Sequence, residues 1–250
     1  MSASPPPRPA SRRLARKPEH FLFDLDDTLY PPSSGCFRLV AGRIHDYVRT
    51  RLGLEEQEAR ALQRRYWQEY GTSLRGLMVH HGVEPQAYLD YVHDVPVESR
   101  LAPDPALRAV LERLSGHRHV FSNGPEAYVR RVLRRLGVED LFDRIFDIAA
   151  CGYIPKPNAA PYALVARALG AADEACVLVD DAPANLAPAW RRGWFTVWLR
   201  APESWAGGAP GLSVREAQAG VQADAVIASL AELPGVLARA LAEGEATAGL

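Results

Sequence analysis

The stretch HFLFDLDDTLY, from His20 to Tyr30, is the part of the sequence that decides the fold. It begins as a short apolar run and then brings Asp24, Asp26 and Asp27 together. Carboxylates this close raise one another's pKa unless a cation lies among them. Taken alone, the acidic part is also compatible with a solvated turn. Together with the motifs farther along the chain, it predicts a buried strand with a cation-dependent site at its carboxyl end.

Five more short apolar runs follow, separated by segments long enough for helices. They are rich in Val, Ile and Phe, as strands covered on both faces should be. This alternation predicts an α/β fold, a Rossmann-like three-layer α/β/α parallel sheet. The expected strands are His20–Leu25, Arg118–Ser122, Arg144–Ile148, Cys176–Val179, Trp194–Leu199 and Ala223–Ala228. The expected helices around them are Pro105–Leu114, Glu126–Leu136, Pro161–Leu169 and Leu230–Ala242.

One segment, residues 35–101, departs from the alternation. It contains no convincing strand, and its apolar residues recur at helical spacing, with two shorter helices expected over Ser73–His81 and Gln86–His93. We therefore expect an all-helical cap inserted between the first and second strands. The full expected division is a disordered basic tail over residues 1–18, an α/β core over residues 19–34 and 102–250, and the cap over residues 35–101.

Composition limits the functions that the chain can have. Lys and Arg number 29 against 30 Asp and Glu, so the net charge of −1 gives no general attraction to nucleic acid or to an anionic membrane. No run approaches the roughly 20 apolar residues of a membrane span. Three cysteines without zinc-ligand spacing fit a reducing compartment, so we expect a cytoplasmic protein. The basic tail lacks a secretory signal; an organelle-targeting peptide is the alternative to disorder.

A second acidic pair, Asp180 and Asp181, follows the fourth expected strand. Ligands of doubly wound sheets bind outside the carboxyl ends of the strands, where the strand order reverses. If the first and fourth strands are neighbours there, up to four carboxylates converge. An oxygen-rich cluster of this kind suits Mg²⁺, which accepts a few carboxylates together with water and phosphate oxygens.

Two other segments have the opposite character. Ser122 and Asn123 follow the second strand just before a helix start, where main-chain N–H groups and the helix dipole favour an anion. A hairpin turn is the alternative for Asn123-Gly124, but the helical pattern after it argues against one. Lys156, the only lysine of the expected core, lies in a proline-flanked loop. Near the carboxylates it could neutralise excess charge and hold a phosphoryl oxygen.

These motifs, in this order, resemble the haloacid dehalogenase-like (HAD) hydrolases: D-x-D-x-T at Asp24–Thr28, then Ser122, Lys156 and Asp180-Asp181. The resemblance implies a helical cap of the family's first type and the sheet order 5-4-1-2-3. It implies that Asp24 is the nucleophile and Asp26 the general acid and base. Mg²⁺ would bind Asp24, the main-chain carbonyl of Asp26 and Asp180, with Asp181 acting through water. Ser122, Asn123 and Lys156 would hold the phosphoryl oxygens.

The same resemblance bears on the reaction. The family's dehalogenases lack the second aspartate of the first motif, so Asp26 favours a phosphatase, in which the leaving alkoxide must be protonated. Asn185, one helical turn beyond Asp181, would either orient the acidic loop or cap its helix. A non-catalytic phospho-receiver or scaffold is the remote alternative, and the order of the motifs argues against a receiver.

Looser matches point to a substrate. The segments Leu29-Tyr30-Pro31, Tyr70–Leu77 and Val92–Pro96 resemble the pyrimidine 5′-nucleotidase branch of the family. This implies hydrolysis of UMP or CMP, with Tyr70 and Arg75 as candidate substrate contacts. A phosphosugar or phosphoglycolate is the alternative substrate. The adjacent His80 and His81 are left out of the site, because neighbouring helical residues do not share a face.

Overall fold

Residues 20–23 lie in the middle of a parallel sheet whose strand order is β3-β2-β1-β4-β5-β6. The computed structural model that shows this describes residue 14, residues 16–200 and residues 223–248. The strands are β1 (His20–Phe23), β2 (His117–Phe121), β3 (Arg144–Phe146), β4 (Cys176–Asp180), β5 (Phe195–Leu199) and β6 (Ala225–Ile227). All neighbouring pairs are parallel. The predicted α/β sheet and its order 5-4-1-2-3 are confirmed, and β6 extends the sheet beyond β5.

Helices fill the connections between the strands. They are α1 (Cys36–Leu52), α2 (Glu56–Tyr70), α3 (Ser73–His81), α4 (Pro85–Val92), α5 (Pro105–Glu112), α6 (Glu126–Leu136), α7 (Ala159–Leu169), α8 (Pro183–Arg192) and α9 (Leu233–Ala248). The predicted bounds of α3 and α6 are confirmed. The closing helix was predicted too short, since α9 continues to Ala248 after a 3-10 turn over Leu230–Glu232.

Strand β1 ends two residues earlier than predicted, at Phe23 rather than Leu25. The chain turns back at once, because the N–H groups of Thr28 and Leu29 both donate to the carbonyl of Leu25. Asp27 takes a left-handed conformation in this turn, with φ 59°. The tight turn keeps Asp24, Asp26 and Asp27 close to the carboxyl end of β1.

Helix α6 shows how local sequence specifies an element. Its apolar side chains recur every three to four positions and are buried against the sheet, whereas its arginines face outward. Pro125 precedes the helix and Gly137 ends it in the left-handed region with φ 75°. The start of α6 follows Ser122-Asn123 directly, so the alternative of an Asn-Gly hairpin is excluded.

Buried apolar residues form one layer on each face of the sheet. Phe21, Phe23 and Val120 belong to the cluster that includes α5, α6 and α9, while Leu22 and Leu178 belong to the cluster with α7 and α8. Side chains of successive strand residues point to opposite faces, which explains this division. The result is the predicted three-layer arrangement.

The segment between β1 and β2 is helical, from α1 to α4, and has a hydrophobic cluster of its own. Ile148, from the loop after β3, joins this cluster, and Tyr153 of the same loop packs against it. The predicted disordered tail lies almost entirely outside the described residues, and residues 201–222 lie wholly outside them. Among the helices that are described, none has the length and apolar character needed to cross a bilayer.

Candidate active site

The two acidic motifs meet because β1 and β4 are neighbours. Phe23 is in register with Val179, and the N–H group of Asp24 donates to the carbonyl of Val179 at 2.9 Å. Asp24 and Asp180 therefore leave the sheet side by side. Carboxylate oxygens of Asp24, Asp180 and Asp181 all lie within 4.8 Å of one another. The predicted convergence of distant carboxylates is thus present in the structure.

Lys156 lies among these carboxylates. Its ammonium donates to Asp24 Oδ1 at 2.8 Å and to Asp180 Oδ2 at 2.7 Å. The lysine is only 1% exposed, and Asp180 is fully buried. An ion pair this deep is tolerated only when both charges keep partners. One cation thus bridges the first and last motifs of the sequence.

The side chain of Asn123 holds the lysine loop by bonding the main chain of Lys156. Its carboxamide oxygen accepts from the Lys156 N–H at 2.9 Å, and its Nδ2 donates to the Lys156 carbonyl at 3.2 Å. The side chain that was predicted to bind phosphate is therefore occupied with positioning Lys156. Ser122 lies beside it, 2% exposed, and its hydroxyl oxygen accepts from the Gly124 N–H at 3.0 Å.

Asp180 and Asp181 are oriented by neighbours from other elements. Asn185, in the first turn of α8, has its Nδ2 3.0 and 3.1 Å from the two Asp180 oxygens. Its side chain therefore orients the acidic loop. The Ala182 N–H donates to Asp180 Oδ1 at 2.9 Å. Thr28 bonds both the N–H group and the carboxylate of Asp181, at 3.2 and 3.4 Å.

The cluster carries negative charge that a further cation could compensate. Burial raises the pKa of Asp24 to about 7, although the nearby Lys156 ammonium acts in the opposite direction. Burial, followed by the charges of Asp180 and Asp24, raises the pKa of Asp181 well above its usual range. One lysine against three close carboxylates leaves net negative charge. The donor set is all oxygen, which fits a hard divalent cation such as Mg²⁺.

Asp26 lies apart from the ion pair. Its Oδ1 accepts hydrogen bonds from the hydroxyls of Tyr30 and Tyr128, the latter at 2.8 Å. Burial raises the pKa of Asp26, and the two hydroxyls act in the opposite direction. In the sequence, Tyr30 stands only in a family match, and Tyr128 only within the predicted helix Glu126–Leu136. The signal available in the sequence is that Tyr128 lies in the first turn of the helix that follows Ser122-Asn123.

The two candidate substrate contacts in the helical segment, Tyr70 and Arg75, have different surroundings. The Tyr70 hydroxyl is 2.6 Å from His80 Nε2, and its ring packs against Tyr66, so Tyr70 is part of the packing among the cap helices. Arg75 is half-buried, and among the described residues no carboxylate lies within salt-bridge distance of its guanidinium. His80 and His81 bond different tyrosines, His80 the hydroxyl of Tyr70 and His81 that of Tyr66.

Sequence and structure comparisons agree with this arrangement. Over 149 residues the chain is 32% identical to Phosphate metabolism protein 8 of Saccharomyces cerevisiae, a match that covers 56% of this chain and 46% of that protein. The aligned part thus spans about half the length of this relative.

Two solved structures share the fold. L-2-haloacid dehalogenase from Xanthobacter autotrophicus has a TM-score of 0.56 at 19% identity, covering 88% of this chain and 98% of that one. The HAD phosphatase from Thermococcus onnurineus has a TM-score of 0.54 at 22% identity, covering 88% and 97%. The family model of haloacid dehalogenase-like hydrolases matches residues 18–190, well over half of the chain. The protein therefore belongs to the haloacid dehalogenase-like hydrolases.

Proposed function

We propose that this hydrolase is a Mg²⁺-dependent phosphomonoesterase that works through an aspartyl-phosphate. The observation that carries the proposal is the convergence of three carboxylates and one ammonium at the carboxyl ends of β1 and β4. Asp24 is the proposed nucleophile, since it follows the central strand β1 and its Oδ1 is held by Lys156 at 2.8 Å. Covalent catalysis of this kind divides hydrolysis into two easier displacements.

Asp26 supports a phosphatase over a dehalogenase. A departing alkoxide needs a proton, whereas a halide does not, and Asp26 supplies a half-buried carboxyl group two residues after the nucleophile. A carboxyl group whose pKa is raised by burial is suited to act as an acid and then as a base. The names of the yeast relative and of the Thermococcus phosphatase are in keeping with this choice.

Asp24, Asp180, Asp181 and the main-chain carbonyl of Asp26 are the groups proposed to hold Mg²⁺. When bound, the ion would shield the repulsion between a carboxylate nucleophile and a phosphate dianion and stabilise the phosphoryl oxygens. Lys156 adds positive charge at the same place. Ser122 and Asn123 are the proposed contacts of the remaining phosphoryl oxygens, and the Asn123 carboxamide in addition bonds the Lys156 main chain.

For the substrate we propose a pyrimidine nucleoside monophosphate, with residues 35–101 acting as a cap over the site. The support is the resemblance of the cap motifs and the position of Arg75. A half-buried guanidinium that lacks a carboxylate partner among the described residues is available to an oxygen of the substrate. Tyr70 has less support, since its hydroxyl bonds His80. Another small phosphate ester, such as a phosphosugar or phosphoglycolate, is the alternative.

A cytoplasmic location is proposed on the state of the thiols. All three cysteines are free and buried. Free thiols are typical of a reducing compartment, whereas secreted proteins tend to pair their cysteines in disulfides.

A panel of monophosphates tests the proposal. We expect phosphate release from UMP and CMP with a higher kcat/KM than from phosphosugars or phosphoglycolate, and loss of release after EDTA treatment that added Mg²⁺ restores. Equal rates on all esters would leave a general phosphatase and exclude the nucleotide assignment. Undiminished release after complete EDTA treatment would exclude the metal, and release of halide from a 2-haloacid would exclude the phosphatase.

A further inference from the structure

Two buried tyrosines from different elements converge on one oxygen of Asp26. Tyr30 comes from the turn after β1 and Tyr128 from the first turn of α6, and each is 2% exposed. Both hydroxyls donate to Asp26 Oδ1, and they lie 3.1 Å from each other. Buried hydroxyls need hydrogen-bond partners, but a packing role alone does not require that both choose the same carboxylate oxygen.

This arrangement treats the two oxygens of Asp26 differently. Oδ1 accepts two hydrogen bonds, and among the described residues no donor reaches Oδ2. A carboxylate that is fixed through one oxygen has lost most of its freedom to rotate about the last side-chain bond. Its other oxygen is therefore held in one direction, available for proton exchange with a substrate or with water.

We propose that Tyr30 and Tyr128 are positioning residues that anchor Asp26 through Oδ1, so that Oδ2 alone carries the proton in both steps of the reaction. The inference rests on the proposed phosphatase function. In the first step Asp24 forms a bond to phosphorus, the ester P–O bond breaks, and the leaving oxygen takes its electron pair and the proton from Oδ2. In the second step a water gives a proton to Oδ2 and attacks phosphorus, which releases Asp24 and inorganic phosphate.

Tyr128 also contacts both connections of the helical segment to the core. The Cys36 sulfur, at the start of α1, is 3.6 Å from the Tyr128 hydroxyl. The ring of His93, just after α4, lies 4.9 Å from the Tyr128 ring. The His93 ring is itself held, because its Nδ1 is 3.0 Å from the Leu89 carbonyl. The residue that anchors the acid is thus packed between the two connections of the helical segment to the core.

The test is the variant Tyr128→Phe, which removes the hydroxyl and keeps the ring, measured on two esters. UMP, an alkyl ester, needs protonation of its leaving group, whereas p-nitrophenyl phosphate has a leaving group that departs without a proton. Since general acids contribute roughly 10²- to 10⁴-fold and a misplaced acid loses part of this, we expect kcat/KM for UMP to fall at least about tenfold. For p-nitrophenyl phosphate we expect less than a twofold change, and KM should stay the same for both.

Two further variants complete the experiment. Tyr30→Phe should show the same selective loss, and Asp26→Asn a larger one. Tyr88→Phe is the matched control, because Tyr88 is an equally buried tyrosine in the cap cluster, and both esters should react as in the wild type. Because both esters are measured on one preparation, a partly unfolded variant still gives a valid ratio.

Equal losses on the two esters, or none on either, in both tyrosine variants would overturn the positioning role. If the wild type hydrolyses neither UMP nor any other phosphate ester, the proposed function itself has failed. The two failures are therefore distinguishable.

Discussion

At the scale of single residues, the site depends on how one ammonium group is shared by buried carboxylates. Lys156 contacts Asp24 and Asp180 at less than 3 Å, and Asp181 completes the cluster without contacting it. A divalent ion is therefore not the sole reason that these acids can lie together. Lys156 neutralises part of the negative charge of the cluster, and a bound metal ion would neutralise the rest.

Lys156→Met should destabilise the protein strongly, because it leaves Asp24 and Asp180 buried without their cation. Breaking a buried ion pair from one side costs about 3–5 kcal/mol of unfolding free energy. We expect Mg²⁺ to recover part of this loss, and to stabilise the variant more than the wild type in urea denaturation. The chain's other lysine provides the control: Lys17→Met, at an exposed position, should change stability by less than about 0.5 kcal/mol. A Lys156 variant as stable as the control would contradict the prediction.

Asp24→Asn should abolish turnover and leave thermal stability nearly unchanged. Burial already disfavours the charge, as the pKa of about 7 shows, and an amide oxygen can still accept from Lys156. Phosphate release and thermal unfolding of the same preparation are the measurements. Asp140→Asn, which removes a partner of Arg108 on the surface, should keep full activity. Turnover by the Asp24 variant would refute the assigned nucleophile.

At the scale of elements, the turn between α2 and α3 brings the helical segment into close contact with the lysine loop. Gly71 ends α2 with φ 83°, and a Cβ atom placed on it would lie 2.9 Å from the Lys156 carbonyl. Main chain thus faces main chain at the Lys156 carbonyl, and ring atoms of Pro155 and Pro157 would lie 3.3 Å from the same Cβ atom. The segment Tyr70–Leu77, chosen from sequence as a substrate motif, begins at this contact.

Gly71→Ala should therefore impair catalysis as well as stability. The left-handed conformation costs about 1–2 kcal/mol for any L-residue, and the added methyl group must also displace the lysine loop. A displacement near 1 Å in a catalytic group costs up to about 100-fold in rate, so we expect a loss between about tenfold and 100-fold in kcat/KM.

The matched control for this prediction is Gly82→Ala. Gly82 ends α3 with φ 60° but has open space where a Cβ atom would lie. It should lose comparable stability in thermal unfolding and keep its activity. Equal activity in the two variants would mean that the contact between Gly71 and the lysine loop has no effect on the reaction.

At the scale of the whole molecule, the two ends of the sheet carry opposite kinds of titratable group. The carboxyl end holds the acidic site, whereas His20, His117 and His119 stack at the amino end of β1 and β2. His119 is buried, its Nε2 lies 3.1 Å from His20 Nδ1, and burial lowers its pKa to about 4. The His20 charge acts on it in the same direction.

The stability of the fold should consequently fall as the pH drops from about 6.5 towards 4. In this window the unfolded chain binds a proton at His119 that the folded chain excludes, and each pH unit costs up to about 1.4 kcal/mol for one such proton. His119→Phe should therefore lose about 1 to 2 kcal/mol less than the wild type between pH 7 and pH 5 in urea denaturation. The raised pKa values of the acidic site act in the opposite direction, but they are common to both proteins. Identical pH slopes would contradict the prediction.

How far each feature was predictable follows from how local its cause is. Helix α6 was predicted to the residue, because its apolar spacing, its preceding proline and its final glycine are all encoded within the segment. Strand β1 was predicted two residues too long, since apolar Leu25 gives no sign that its carbonyl closes a turn. Ser122, Lys156 and the acidic pairs could be found because each follows a strand.

By itself, the sequence determined the parallel sheet, the helical insertion and the edge at which the acids gather, because periodicity and strand ends are local properties of a chain. Only the tertiary structure decided which side chains meet there: the carboxamide of Asn123 on the Lys156 main chain, and Tyr128 on Asp26, across 102 positions. Such contacts depend on the register and the approach of separate elements. No local pattern of residues encodes that approach, because packing of the whole molecule sets it.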